Sequence, residues 1–218
     1  MHFDAVLFDM DGLLVDSEPI WTQVTDAFCQ RRGQRYTAAD EAACLGSGSG
    51  ITMDYLSRTY GWPLDRDAQV DEVLDELVTH LPSAPELPGA SALLEALAGS
   101  GIPLALGSSS ARRVVDAALG ARGWLPRFAT IVSGSDVTRL KPDPEIYLTC
   151  AQRLGVAPER CVVLEDSPVG CRAARAAGAH VIAVPALPHD AQRLDRFRAL
   201  ADHVVPDLAS ALGVLGRG

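Results

Sequence analysis

A fully apolar run, Ala5–Phe8, ends abruptly in Asp9-Met10-Asp11-Gly12. Side chains alternate along a strand, so the two carboxylates leave the same side of its C-terminal end. Carboxylates forced together repel unless a proton or a cation lies between them. Gly12 lets the backbone turn away where a side chain would crowd the site. Two later apolar runs also end in polar residues: Pro103–Leu106 before Gly107-Ser108-Ser109-Ser110, and Cys161–Leu164 before Glu165-Asp166-Ser167. Each alone has a plain reading, since Ser108 and Ser167 suit helix caps. With Lys141, however, the set supplies acids, a hydroxyl at a helix start and one ammonium, which suits a phosphate and a divalent cation. Hard oxygen ligands fit Mg²⁺, bridging Asp9, Asp166 and a phosphate oxygen. Ser108 and the N–H groups behind it would hold other phosphate oxygens.

Lys141 is the single lysine among 19 basic residues. A compact ammonium serves where a point charge must fit a tight site, which a guanidinium does not. Here it would offset the acids and the phosphate, and Pro142 would restrict its backbone to an extended form.

Alternating strands and helices position these residues. From residue 86 onward, strands at 103–106, 129–133, 161–164, 181–184 and 203–205 alternate with helical patterns, which predicts a doubly wound parallel sheet. Ligands of such sheets bind beyond the carboxyl ends of the strands, where the polar residues fall. Between residues 16 and 85 no β-type alternation appears. Ile20, Val24 and Phe28 recur at helical spacing, and further helical patterns cover 37–44, 51–60 and 65–81. The fold class is therefore α/β, a Rossmann-like core of residues 1–15 and 86–218 interrupted by an all-helical insertion, 16–85. The run Gly46-Ser47-Gly48-Ser49-Gly50 reads as a connector, because no strand precedes it and no lysine follows.

At 218 residues, 48% hydrophobic and 22% charged, the chain has the composition of a globular protein. A net charge of -9 without a basic stretch argues against nucleic-acid and anionic-membrane partners. Arg193, Arg196 and Arg198 interleave with Asp195 as a solvated helix face. The first apolar run is too short for a signal peptide, and none reaches membrane-spanning length. Five cysteines without CxxC spacing read as reduced thiols of a cytoplasmic protein.

In four motifs, Asp9-Met10-Asp11-Gly12, Ser108, Lys141-Pro142 and Leu164-Glu165-Asp166-Ser167, the chain resembles the haloacid dehalogenase-like hydrolase superfamily. The helical insertion matches that family's α-helical cap, and residues Asp9 to Trp21 look most like the branch of sugar-phosphate phosphatases and β-phosphoglucomutases. The resemblance implies Asp9 as nucleophile forming an aspartyl-phosphate, and Asp11 as the acid that protonates the leaving oxygen and then activates water. It implies Mg²⁺ held by Asp9, Asp166, the Asp11 carbonyl and Glu165, the last as ligand or support. Ser108, Ser109 and Lys141 would bind phosphate with Asp9 and Asp11, and Ser17 and Glu18 would face a hydroxylated substrate. Trp21 divides evenly between that role and the core of the insertion.

The mutases of this branch use a cap arginine and a lysine after the serine motif. Here residues 36–57 contain no Lys or Arg, and Ala111 stands where that lysine would fall. Hydrolysis of a small phosphorylated metabolite is thus expected ahead of a β-phosphoglucomutase-like transfer, with a monomer compatible. A receiver-type signalling domain would also join acids, a hydroxyl and a lysine, but it needs no helical lid to exclude water.

Overall fold

The computed structural model describes residues 3–44, 48–63, 65–185 and 191–216. These form two compact units, Met1–Asp16 with Pro85–Gly218, and Ser17–Ala84.

The first unit is built on six parallel strands: β1 (Ala5–Phe8), β2 (Leu104–Gly107), β3 (Thr130–Val132), β4 (Cys161–Glu165), β5 (His180–Ala183) and β6 (His203–Val204), in the order β3-β2-β1-β4-β5-β6. β1 lies where the strand order reverses, between β2 and β4. Every residue of β1, β2 and β4 is buried, as strands covered on both faces must be. Helices α5 (Ala90–Ala98), α6 (Arg112–Gly120), α7 (Glu145–Leu154), α8 (Pro168–Ala176), α9 (Ala191–Arg198) and α10 (Leu208–Leu215) complete the unit. Ala5 and Leu7 of β1 share a core with Ile146, Tyr147 and Cys150 of α7 and with Cys171, Ala173 and Ala174 of α8.

Among the described residues the second unit has four α-helices: α1 (Glu18–Gln30), α2 (Ala38–Cys44), α3 (Gly48–Tyr60) and α4 (Arg66–His80). Ile20, Val24 and Phe28 of α1 are buried at the expected spacing. Arg32 stacks on Phe28, 3.6 Å from the ring centre, and forks onto Glu72 of α4. Buried Asp40 accepts hydrogen bonds from Thr37, Tyr55 and Tyr60. The expected Gly-Ser connector is corrected in part: Gly48–Gly50 form the first turn of α3, while positions 46 and 47 lie outside the described residues. Met53, Leu56 and Ser57 bury that helix's inner face, and glycine is tolerated at its half-buried first turn.

All five cysteines are buried and outside any disulfide. Among the described residues no helix is long and apolar enough to cross a membrane.

Candidate active site

Register brings the polar strand ends level. Phe8 pairs with Leu106 on one side and with Leu164 on the other, so Asp9, Gly107-Ser108 and Glu165 emerge beside one another. The backbone N–H of Asp9 still donates to Leu164 O at 3.1 Å, extending the ladder by one residue. After Asp11 the chain turns sharply. Leu13, Leu14 and Val15 N–H groups all point at the Met10 carbonyl, and Gly12 N–H donates to Val15 O. Gly12 has φ +79°, and a Cβ there would overlap the Asp166 carboxylate. Only glycine satisfies both the turn and that close approach.

Lys141 connects the acids. Its Nζ donates to Asp9 Oδ1 at 2.5 Å and to Glu165 Oε1 at 2.7 Å, with the side chain only 6% exposed. The loop that carries it is stapled by Glu145, whose carboxylate accepts the N–H groups of Thr138 and Arg139. Burial alone would push the Lys141 ammonium down, but the Asp9 and Glu165 carboxylates more than reverse this and hold it above its usual range. For Asp9, burial raises the carboxyl above the usual range; Lys141 opposes this, and Glu165 and Asp11 reinforce it.

Glu165 is fully buried, and both of its carboxylate oxygens accept hydrogen bonds. Its Oε1 accepts from Lys141 and from the Tyr147 hydroxyl at 2.6 Å; its Oε2 accepts from the N–H groups of Asp166 and Ser167 and from Ser167 Oγ. Burial, with Glu165 and Asp9 alongside, holds the Tyr147 phenol well above its ordinary value, so it remains a donor. Its ring also lies 4.7 Å from Lys141 Nζ. Ser167 caps α8 by accepting from Gly170 N–H at 3.0 Å. Gly170 itself leaves room for Glu165, since a Cβ there would overlap the carboxylate.

Asp11 faces different partners. Its Oδ2 accepts from Ser110 Oγ at 2.7 Å and from Ser108 Oγ at 3.3 Å. Ser108 is buried and does not cap α6, whose N-cap residue is Ala111; its Oγ accepts from Ser110 N–H instead. Ser109 lies between them, half-buried. Ser17 stands at the N-cap position of α1 without a side-chain capping bond, and Glu18 is the exposed first residue of that helix; both belong to the second unit.

Asp9, Glu165 and Asp166 each offer a carboxylate oxygen within 4.8 Å of the others. Three clustered acids against one ammonium leave negative charge that a divalent cation would offset, and an all-oxygen donor set suits Mg²⁺. Most of Glu165's acceptor capacity is already taken, so Asp9 and Asp166 are the better donors. Tyr147 and Gly170 went unread in the sequence. Ser110 was marked there only as the third of three serines, without a role, whereas Tyr147 reads only as a core aromatic.

An acid cluster beyond the carboxyl ends of a doubly wound sheet, held by one buried lysine, defines a phosphate-handling type of site. The haloacid dehalogenase-like hydrolase family model matches residues 6–184, and the chain belongs to that family. Hexitol phosphatase A of Escherichia coli (strain K12) is 37% identical over 196 residues, covering 89% of this chain and 88% of that protein. A bifunctional riboflavin kinase/FMN phosphatase of Arabidopsis thaliana is 31% identical over 84% of this chain, which spans about half, 49%, of that protein's length. The crystal structure of a mutant CbbY from Rhodobacter sphaeroides in complex with xylulose-(1,5)bisphosphate superposes with a TM-score of 0.84, at 25% identity and 95% coverage of each chain.

Proposed function

We propose that this chain is a cytoplasmic, Mg²⁺-dependent phosphatase that hydrolyses small phosphomonoesters, sugar or polyol phosphates, through an aspartyl-phosphate on Asp9. The observation that carries the reading is the Lys141 bridge between buried Asp9 and Glu165 at the switch point of the sheet. Relatives named for hexitol phosphate hydrolysis and for a bound sugar bisphosphate support the substrate class.

Asp9 attacks phosphorus as the bond to the leaving oxygen breaks. Asp11 gives that oxygen its proton, then takes one from the water that cleaves the aspartyl-phosphate. Lys141 holds the Asp9 carboxylate in place and balances charge gathering on the phosphoryl oxygens. Ser108 and Ser109 bind those oxygens, and Glu165 anchors Lys141. Mg²⁺, held by Asp9, Asp166 and the Asp11 carbonyl with Glu165 behind them, would screen the phosphoryl charge from the attacking carboxylate. The unit Ser17–Ala84 serves as the cap, with Ser17 and Glu18 selecting the substrate.

The direct test is phosphate release across a panel of hexitol, sugar and aryl phosphates, with Mg²⁺ and with a chelator. Release that depends on Mg²⁺ and favours polyol or sugar esters is expected. Interconversion of hexose 1- and 6-phosphates without net release would replace hydrolysis by transfer. Gly12→Ala should push the Asp166 carboxylate aside and weaken Mg²⁺ binding by about tenfold or more in a calorimetric titration. Unchanged affinity would remove Asp166 from the metal site.

A further inference from the structure

The Ser108–Ser110 loop has a feature that phosphate binding does not explain. Ser110 is pinned at both ends of its peptide unit: its N–H donates to Ser108 Oγ at 3.0 Å, and its carbonyl accepts from Gly134 N–H at 2.8 Å. From that fixed backbone its hydroxyl donates to Asp11 Oδ2 at 2.7 Å, and Ser108 Oγ approaches the same oxygen at 3.3 Å. Two hydroxyls on one carboxyl oxygen restrict the rotation of that carboxyl about its Cβ–Cγ bond.

We propose that Ser110 is a positioning residue that holds the Asp11 carboxyl for proton transfer to the leaving oxygen. This rests on the reading of Asp11 as the acid of the first step. As Asp9 bonds to phosphorus and the P–O bond to the leaving group breaks, the Asp11 proton passes to the departing oxygen. The carboxylate that remains keeps the Ser110 hydrogen bond, and its charge is stabilised where it forms. In the second step the same carboxylate takes a proton from water, which restores the acid.

Leaving groups distinguish this role from a merely structural one. An alkoxide is a far stronger base than p-nitrophenolate, so alkyl esters need the acid and the aryl ester needs it little. Ser110→Ala should therefore lower kcat about tenfold more on the fastest alkyl phosphate of the panel than on p-nitrophenyl phosphate, the loss expected for one well-placed hydrogen bond. Ser110→Thr, which keeps the hydroxyl, should restore most of the alkyl turnover. Equal proportional losses on both esters, or no loss on the alkyl ester, would overturn the inference. Asp11→Asn, measured alongside, should show a larger split in the same direction. If it shows none, the acid reading of Asp11 fails and this inference with it. If it shows the split and Ser110→Ala does not, only the role of Ser110 falls.

Discussion

Asp9→Asn is expected to abolish turnover, with kcat falling by at least about 10³-fold, because an amide is too poor a nucleophile to displace an alkoxide at phosphorus. The substitution is nearly isosteric, and Lys141 keeps its bond to Glu165. The folded state should therefore persist, with an unchanged circular dichroism spectrum. Loss of activity with retained structure would place Asp9 in the chemistry. Turnover near the wild-type rate would remove it from that role and move the nucleophile elsewhere in the cluster.

Lys141→Met is expected to damage both stability and activity. The ammonium is the partner of two buried carboxylates, Asp9 at 2.5 Å and Glu165 at 2.7 Å. Removing one member of a buried ion pair leaves uncompensated charge and costs about 3–5 kcal/mol. The urea midpoint should fall accordingly, and added Mg²⁺ should recover part of the loss by supplying positive charge to the same acids. Lys141→Arg preserves the charge but not the shape. A planar guanidinium does not fit a space enclosed by Asp9, Glu165 and the Tyr147 ring, so it should restore less than half of the lost stability. Full restoration by arginine would show that charge alone matters there.

Much of the core was legible because its signals are local. An apolar tetrapeptide followed by Asp-x-Asp-Gly specifies a buried strand, its end and a turn within eight residues. Lys141 was conspicuous as the only lysine. The alternation of elements after residue 86 predicted a doubly wound parallel sheet, and the sheet is wholly parallel with β1 at its centre. What stayed hidden depends on direction rather than type. Glu165 and Asp166 are adjacent acids, yet one turns into the core toward Tyr147 and Lys141 while the other stays beside Gly12. The spacing of Asp9 and Asp11 puts both at one strand end without saying which partners each carboxylate takes. The Asp11 carboxylate turns to Ser108 and Ser110, whereas the three-acid cluster consists of Asp9, Glu165 and Asp166. Tyr147 carries no polar signature in its surroundings, because its hydroxyl meets Glu165 only once α7 is packed across β1, β2 and β3. Gly48–Gly50 misled for the opposite reason, since buried residues further along α3 decide the helix and its glycines merely follow.

The covalent intermediate is the centre of the account. A radiolabelled phosphate ester, mixed with the Mg²⁺-loaded protein and quenched in acid within milliseconds, should leave label on the chain. Peptide mapping should place that label on the fragment carrying Asp9, and borohydride, which reduces acyl phosphates, should release it. Label on Asp9 at a level that rises and decays at the rate of turnover is the predicted result. Label on any other residue, or product formed in a pre-steady-state burst with none on the chain, would contradict it.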